Sequence, residues 1–384
     1  MKLKHRPEDF CVEELTSVVP AEGPFALYRL TKRGLGTPEA VAAMVRRWHL
    51  PPGSVAYGGL KDRHAVTTQW LTIHGGPRRA LRQTNLALQY VGQTTAAFGS
   101  ADITANRFRI VLRELSEAEA AAATGALAAL AVDGVPNYFD RQRFGSVGRS
   151  GEFMARAWCA RDYERALWLA LTDPNSHDRG REKTAKAALD RGWGDWASCC
   201  AAVGRTPAAA AVAHLAAHPG DFRAALGRLP QSERRMHLAA FQSFLWNRLL
   251  GAFLRQQCRG EQLRDAGVAG HTLPFHHALD PQQREAILGQ KLPLPSARIQ
   301  HDEGPVQALL ARVLGAMNLT AADLEIETPR DSFFSRGNRA AAFLPSGLEH
   351  ELGADEIYAS RQKLTLQFDL PRGCYATMLI ACTT

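Results

Sequence analysis

The spacing of apolar residues changes twice along the chain, and this change limits the possible folds more than any other feature. Residues 1–150 and 321–384 contain short runs in which apolar and polar residues alternate, as they do strictly from Leu364 to Leu370. A period of two is typical of half-buried strands. Residues 151–320 are instead rich in alanine, and their helical spacing is interrupted by proline and glycine. The pattern therefore predicts strand-rich ends on either side of a mainly helical segment.

The size and charge of the chain indicate its class. At 384 residues and 46% hydrophobic content, it is long enough for two domains or one elaborated domain. Its net charge of +8 favours a polyanionic partner, such as nucleic acid or an anionic membrane surface. No apolar run approaches the roughly twenty residues that cross a bilayer, and residues 1–6 lack the apolar core of a signal peptide. We therefore expect a cytoplasmic protein without a membrane segment.

The spacing of cysteine and histidine indicates no metal site. The cysteines are scattered from Cys11 to Cys382 without a paired C-x-x-C spacing, so we expect reduced thiols. His271, His276 and His277 lie close in sequence, but no carboxylate or cysteine completes a convincing ligand set. The sequence therefore predicts surface histidines and no metal.

The segment from Gly58 to Trp70 combines turn residues, charges and strand formers. A short apolar strand precedes it, its glycine pair allows a turn or a close approach to a ligand, and a β-rich run follows. Asp62 is thus expected at a strand-to-loop junction. The neighbouring Lys61 and Arg63 favour its ionised form, which a nucleophile, a base or an electrostatic stabiliser needs. The alternative is a surface turn with solvated charges, because structural ion pairs also occur at such positions.

Capping residues predict three helix starts. Thr37 is an N-cap candidate because a proline follows it, as is common at the first helical position. Ser116 and Glu119 form a capping-box pattern at the start of an alanine-rich helix. Ser232 is the candidate cap of a long helix whose apolar stripe includes Met236.

The run Ala105–Arg113 predicts a strand with two unlike faces. Phe108 and other apolar residues share one face, whereas Arg107, Arg109 and Arg113 share the other. A basic sheet face can follow phosphate groups, and the alternative is an ordinary solvated outer face.

The segment Val135–Gly145 contains too many aromatic residues and arginines for an ordinary connector. Interleaved aromatic and guanidinium planes suit stacking and backbone contacts to single-stranded or distorted RNA. The alternative is a buried aromatic cluster with an internal Arg–Asp pair. Composition alone leaves both interpretations open.

The chain shares several motifs with a known family. Gly59–His64, followed by Val66–Trp70, resembles the active-site motif of the TruD family of pseudouridine synthases. The resemblance implies that Asp62 is the catalytic carboxylate and that Arg63 beside it contacts RNA. Lys4 precedes a Pro-Glu-Asp-Phe motif that also resembles the family's, and is implied to lie near the catalytic site.

Three further motifs add residues to the implied site. Asn106 and Phe108 match an Asn-x-Phe motif that lines the site around the target base in the family. Asn137 and Arg143 belong to a match with its Asn-Tyr-Phe-x-x-Gln-Arg-Phe-Gly motif and are implied to bind RNA. Tyr375 follows a glycine turn, where an aromatic residue stacks near the base and phenylalanine occurs in at least some relatives. Its additional hydroxyl needs a partner.

The resemblance also implies a fold and an activity. The expected class is α+β: a discontinuous catalytic domain, residues 1–150 and 321–384, with a mixed or antiparallel sheet, and an inserted mainly helical domain, residues 151–320. The expected reaction isomerises uridine to pseudouridine on a flipped-out nucleotide, at uridine 13 of tRNA. The reaction needs no cofactor and no metal. The expected partner is tRNA, with no membrane and no obligatory protein partner.

The residues leave other functions open. A catalytically silent RNA-binding or chaperone module would use the same basic and aromatic surface, and a pseudouridine synthase could act on another RNA. A glycosidase or nucleosidase usually needs a second carboxylate as its acid, for which Glu8, Asp9, Glu13 and Asp140 are available. Whether Asp62 attacks C1′ or removes a 2′ proton is also open.

Overall fold

A computed structural model describes residues 1–298 and 304–383 of the chain. Contacts divide it into two compact units, the first formed by Met1–Val135 with Phe343–Thr384 and the second by Pro136–Ala342. The sequence predicted borders at residues 150 and 320. The borders in the structure differ because residues 136–150 and 321–342 belong to the second unit. The Tyr138 hydroxyl, for example, donates to the Pro274 carbonyl over 2.6 Å.

The strands are β1 (Lys2–Leu3), β2 (Phe10–Thr16), β3 (Phe25–Arg33), β4 (Val55–Tyr57), β5 (Val66–His74), β6 (Leu81–Gln83), β7 (Leu86–Thr94), β8 (Ile103–Leu115), β9 (Val135–Pro136), β10 (Leu263–Val268), β11 (His271–His276), β12 (Lys291–Pro293), β13 (Asn338–Ala340), β14 (Ala342–Phe343), β15 (Ser346–Ala354) and β16 (Gln362–Pro371). The α-helices are α1 (Thr37–Trp48), α2 (Glu117–Asp133), α3 (Met154–Cys159), α4 (Tyr163–Leu171), α5 (Gly180–Arg191), α6 (Trp196–Val203), α7 (Ala209–Ala217), α8 (Phe222–Gly227), α9 (Gln231–Gln257), α10 (Pro281–Gly289), α11 (Pro305–Gly315) and α12 (Ala376–Thr383).

The first unit is built on one mixed sheet, which has ten strands among the described residues. Its order is β15-β16-β8-β2-β5-β3-β7-β6, with β1 added to β8 and β4 to β5. The neighbours β2 and β5 are parallel, with Cys11 opposite Val66, and the other neighbouring strands named here are antiparallel. The second unit is mainly helical. The predicted α+β class with a mixed sheet is confirmed.

Apolar side chains on alternate strand positions form the core of the first unit. On β3, Ala26, Tyr28 and Leu30 are buried beneath α1, with Met44 of that helix in the same cluster. The alternating run that ends at Leu370 forms β16, and its apolar side chains are buried. The terminal helix α12 packs against α2, which also contacts β16.

Two helix starts show how well the capping patterns predict structure. The Ser116 hydroxyl accepts a hydrogen bond from the Glu119 N–H over 3.2 Å, and α2 begins there as predicted. Thr37, in contrast, is not the cap of α1 but its first residue, after Gly36. Its hydroxyl is used elsewhere, because it accepts from the Lys61 N–H over 3.0 Å and donates to Gln69 Oε1 over 2.8 Å.

The long helix α9 of the second unit differs from its predicted amphipathic pattern. It begins before Ser232, and Met236, expected in the apolar stripe, is 49% exposed. Arg234 is buried instead, where its guanidinium donates to both carboxylate oxygens of Asp331 over 2.7 and 2.9 Å and to Ser332 over 2.9 Å. A buried arginine with such partners cannot be recognised from helical spacing.

His271 and His276 lie on one strand of a hairpin in the second unit, and His277 follows it. Ala269 and Gly270 connect β10 to β11 with φ of 52° and 84°, which suits a tight two-residue turn. His276 at the end of β11 is only 3% exposed, so the prediction of surface histidines is wrong for this residue. All residues from 273 to 276 of β11 are buried, whereas His277 after the strand is exposed.

Arg113 at the end of β8 is buried among carboxylates. Its Nε lies 3.0 Å from both carboxylate oxygens of Asp9. One of its terminal nitrogens lies 2.9 Å from Asp355, and the other lies 2.9 Å from Glu356. Because Arg113 is 1% exposed, the alternative of a fully solvated basic face on β8 is wrong at this position. Arg107 on the same strand is half exposed and pairs with Asp369.

The buried arginine stabilises the charged form of its partners. Its hydrogen bond holds the pKa of Glu356 well below the usual range. Burial raises the pKa of Asp9, but hydrogen bonds from Arg113 and from the Arg6 backbone outweigh it, so the net shift is downward. The network joins the segment before β2, the end of β8 and the loop after β15.

We expect Arg113→Met to lower the free energy of unfolding by about 3–5 kcal/mol, since it leaves buried carboxylates without their cation. The matched control Arg107→Met removes a half-exposed pair on the same strand and should cost less than about 1 kcal/mol. Urea unfolding followed by circular dichroism at neutral pH measures both losses. Equal losses would contradict the assignment of Arg113 as the buried centre of the network.

Candidate active site

The loop of residues 58–65, here called the Asp62 loop, connects β4 to β5. Because β5 runs parallel to β2, the residues before both strands lie at the same end of the sheet. Lys4 precedes β2 and Asp62 precedes β5. The parallel pair therefore explains why two residues 58 positions apart in sequence meet.

Lys4 and Asp62 form an ion pair. Lys4 Nζ lies 2.6 Å from Asp62 Oδ2, and the two side chains are 24% and 26% exposed. Lys4 has φ of 57°, and its ammonium also lies 3.9 Å from the centre of the Phe10 ring. The carboxylate is thus charge-paired, held on one side and still accessible to solvent.

The cations next to Asp62 in sequence have other carboxylate partners. Lys61 Nζ lies 2.7 Å from Glu14 Oε1, and Arg63 pairs with Glu39 of α1 over 2.7 Å. The expectation that Lys61 and Arg63 favour the ionised form of Asp62 stays a prediction. Neighbours in sequence thus need not share a partner in the folded chain.

Glu14 is a buried carboxylate that the sequence analysis did not select. Its Oε2 accepts a hydrogen bond from the Trp70 N–H over 2.9 Å, and its backbone carbonyl accepts from the indole N–H over 3.0 Å. It shares the buried face of β2 with Phe10 and Val12. A carboxylate at an apolar position of an alternating strand was the signal that could have identified it.

Asn106 and Phe108 share one face of β8, where they lie opposite Glu14 and Val12 of β2. Asn106 Oδ1 accepts a hydrogen bond from Lys61 Nζ over 3.0 Å, which links it to the Asp62 loop. Phe108 is 8% exposed and its ring stacks on Phe368 at 5.5 Å, with Phe10 at its edge. The structure thus joins Asn106 to the loop and packs most of the Phe108 ring in the core.

Two hydrogen bonds fix the backbone at the start of the Asp62 loop. The Thr37 hydroxyl accepts from the Lys61 N–H, and the Gln69 side-chain amide donates to the Gly59 carbonyl over 3.2 Å. Thr37 also donates to Gln69, so α1, the loop and β5 are connected. This explains why Thr37 does not cap its own helix.

Tyr375 and Arg63 remain partly accessible in the first unit. Tyr375 is half-buried directly before α12, after a turn in which Gly373 has φ of 84°. Arg63 has a side chain that is 58% exposed. Their predicted contacts with RNA stay predictions.

Asn137 and Arg143 lie in the second unit. Asn137 is buried, its amide donates to the Ala340 carbonyl over 3.1 Å, and its own carbonyl accepts from Arg339 over 3.0 Å. Arg143 is exposed, with its guanidinium 5.5 Å from the centre of the Phe139 ring. Asn137 therefore has hydrogen-bond partners within this unit, and Arg143 donates to the Ser243 hydroxyl over 3.1 Å. The predicted RNA contacts of both residues stay predictions.

The aromatic rings of the segment that contains these two residues are buried. Tyr138, Phe139 and Phe144 are at most 9% exposed. Of the two interpretations of this segment, the buried aromatic cluster describes its rings. Arg141, Gln142 and Arg143 of this segment are exposed, and contacts between the segment and RNA stay a prediction.

The described residues contain no group of three or more His, Cys, Asp or Glu side chains placed to hold a metal ion. None of the helices in residues 1–298 and 304–383 is long and apolar enough to cross a membrane. The chemistry available in the Asp62 loop is that of one partly exposed carboxylate paired with an ammonium group. Such a carboxylate can act as a nucleophile or as a base.

Comparisons with known proteins agree on one family. The pattern of the family described as tRNA pseudouridine synthase D (TruD) matches residues 1–381. The chain is 29% identical to the probable tRNA pseudouridine synthase D 2 of Methanocaldococcus jannaschii, covering 99% of this chain and 90% of that protein. It is 27% identical to the tRNA pseudouridine synthase D of Aquifex aeolicus, covering 99% and 97%.

A solved structure gives the same result for the fold. The crystal structure of the TruD protein from Methanosarcina mazei superposes with a TM-score of 0.74 at 24% identity, covering 99% of this chain and 92% of that one. The family pattern extends over nearly the whole sequence. The chain therefore belongs to the tRNA pseudouridine synthase D (TruD) family.

Proposed function

We propose that this protein converts uridine to pseudouridine in tRNA, at uridine 13, and that Asp62 acts at the sugar of the flipped-out nucleotide. The observation that carries the proposal is the 2.6 Å ion pair between Lys4 and Asp62. Asp62 lies on the loop that contains the family's motif. Membership of the family supports the reaction. The position in the RNA rests on the motif resemblance.

The reaction needs little from the protein besides this carboxylate. The bond between uracil N1 and C1′ breaks, the base turns, and C5 bonds to C1′; C5 loses a proton and N1 gains one. The composition of the RNA does not change, so no redox or group-carrying cofactor is required. Asp62 either attacks C1′ or removes the 2′ proton, and both roles require the ionised carboxylate.

Lys4 and Asn106 support this carboxylate in different ways. The Lys4 ammonium keeps a positive charge beside Asp62, and its partly exposed position also allows contact with a phosphate group. Asn106 is held by Lys61 next to the loop, where its amide can hydrogen-bond to the ribose. Tyr375 is the ring that supplies a stacking face for the uracil, because Phe108 is largely packed in the core.

We expect Asp62→Asn to lower the rate of pseudouridine formation at least about a thousandfold, since the amide can act neither as a nucleophile nor as a base. The matched control is Asp369→Asn, which changes an aspartate of similar exposure that pairs with Arg107. Mapping of pseudouridine on unmodified tRNA transcripts measures both. Full activity of Asp62→Asn would reject the proposed role, and a product away from position 13 would reject the proposed target. Tight tRNA binding with no product from the unaltered protein would favour the silent RNA-binding module.

We expect Lys4→Met to slow the reaction by about 10- to 100-fold, the value of a hydrogen bond to a charged group when it is lost in the transition state. Lys2→Met is the control, because it removes an exposed ammonium from the same segment. Single-turnover rates at saturating protein separate this loss from weaker tRNA binding. Equal rates for the two variants would show that the ion pair is dispensable.

The affinity for tRNA should fall steeply with added salt, because phosphate contacts release counterions. We expect at least about a tenfold loss between about 50 mM and about 200 mM monovalent salt. Filter binding of unmodified tRNA across this range provides the measurement. A flat salt dependence would argue against a binding surface made of arginine and lysine.

A further inference from the structure

Lys32 on β3 has an unusual position for a lysine. The residue is 1% exposed, so its ammonium group is enclosed by protein. Its Nζ donates to three backbone carbonyls, those of Leu35 over 2.6 Å, Asp62 over 2.9 Å and Lys61 over 3.3 Å. An ammonium group has three N–H donors, and each has an acceptor here.

Two of these carbonyls lie on either side of the Asp62 Cα atom. The Lys61 carbonyl belongs to the peptide plane before Asp62, and the Asp62 carbonyl belongs to the plane after it. Rotation about φ and ψ of Asp62 moves these two planes relative to each other. A single ammonium group bonded to both oxygens therefore restricts both angles and with them the direction of the Asp62 side chain.

The third acceptor connects this arrangement to α1. Leu35 lies shortly before that helix, whose first residue, Thr37, accepts the hydrogen bond from the Lys61 N–H. The N–H of Lys61 is thus bonded to Thr37, and its carbonyl is bonded to Lys32. The backbone around Asp62 has little freedom while all four hydrogen bonds are present.

We propose that Lys32 is a positioning residue that holds the backbone around Asp62, so that the carboxylate stays opposite Lys4. The inference rests on the role proposed above for Asp62 and adds a residue that the sequence motifs do not include. Lys32 acts through the main chain of the Asp62 loop and does not touch the substrate.

The function needs the charged form of the side chain. A neutral amine has two N–H donors and a lone pair, so it cannot donate to three carbonyls. Enclosing an ammonium group costs free energy, which carbonyl dipoles and nearby carboxylates offset in part. A hydrophobic residue would avoid this cost. It could not donate hydrogen bonds to the Lys61 and Asp62 carbonyls, so only the lysine can hold the loop in this way.

The protonation of Lys32 makes the proposal sensitive to pH. Burial lowers the pKa of Lys32 to about 8, with a further lowering by Lys61 and opposing effects of Asp62 and Glu39. These charged groups face it from the Asp62 loop and from α1. As the pH rises through about 8, the ammonium group loses a proton and one of its hydrogen bonds is lost.

Activity and stability should change in opposite directions over this range. The pKa of Lys32 is lower in the folded protein than its ordinary value of 10.5. Burial of the charged form therefore costs stability below pH 8, and this cost disappears as the pH rises from about 8 towards 10.5. A loss of rate on this alkaline side that comes from Lys32 is thus not caused by unfolding.

The experiment compares the unaltered protein with Lys32→Met, and uses Arg33→Met as the control that removes an exposed cation from the next position. Single-turnover pseudouridine formation on unmodified tRNA is measured from about pH 6.5 to about pH 9.5 at saturating protein. Hydrogen exchange of peptides covering residues 58–65, read by mass spectrometry, reports on the loop without requiring activity. Thermal unfolding and tRNA affinity are measured alongside.

We expect Lys32→Met to lower the single-turnover rate about 100-fold, the effect of a small misplacement of a catalytic group. The affinity for tRNA should stay within about threefold, because the side chain is enclosed and contacts no RNA. Exchange in residues 58–65 should rise at least about tenfold, as local opening becomes easier. The fall in rate of the unaltered protein near pH 8 should be absent from Lys32→Met. Arg33→Met should have the same rate, pH dependence of the rate and loop hydrogen exchange as the unaltered protein.

The outcomes separate the two proposals. Unchanged rate and loop exchange in a folded Lys32→Met would overturn the positioning role. A protein that forms no pseudouridine would reject the proposed function, whereas its loop exchange would still show whether Lys32 holds the loop. If Lys32→Met does not fold, the unaltered protein decides: a rate and a loop exchange that are both flat through about pH 9.5 would overturn the proposal. A rate that falls near pH 8 while loop exchange, corrected for the intrinsic effect of pH, increases would support it.

Discussion

The parallel pairing of β2 with β5 is the constraint on which the candidate site depends. In a sheet whose other neighbouring strands are antiparallel, this pair brings the chain segments before both strands to one end. Lys4 and Asp62 meet there across 58 sequence positions. The same pairing places Glu14 beside Trp70, so that one carboxylate bonds both to β5 and to Lys61 of the loop. A hairpin connection between β2 and β5 could not produce this arrangement, since it would join opposite ends of the strands.

Charges buried in the first unit have different partners, and these partners define their tasks. Arg113 is surrounded by carboxylates and joins segments that are far apart in sequence. Glu14 is paired with Lys61 and accepts a hydrogen bond from the Trp70 backbone N–H. Lys32 is bonded to backbone carbonyls, and these belong to the loop that carries Asp62. Because a buried charge is costly unless it is satisfied, each of these residues fixes the geometry of the groups around it.

Local patterns predicted the elements of the fold well and their side-chain partners poorly. The alternation that ends at Leu370 and the capping box at Ser116 depend on residues a few positions apart, and the structure has both as expected. The roles expected of Thr37 and Met236 failed. Thr37 bonds to a loop that is distant in sequence. On α9, the buried position belongs to Arg234, whose partner Asp331 is 97 residues away. Helical spacing contains no information about such partners.

The sequence by itself determined the class of fold and the family, and its motifs predicted that Lys4 lies near Asp62. Its motifs are runs of neighbouring residues, so they can be recognised without knowledge of the contacts between them. Only the tertiary structure decided that Lys4 pairs with Asp62, because Lys4 comes from the segment before β2, which the parallel pairing brings beside the Asp62 loop. It also showed that Glu14 and Lys32 bond to the Asp62 loop. Their contribution comes from burial and from hydrogen bonds to distant backbone groups, which arise only when the chain has folded.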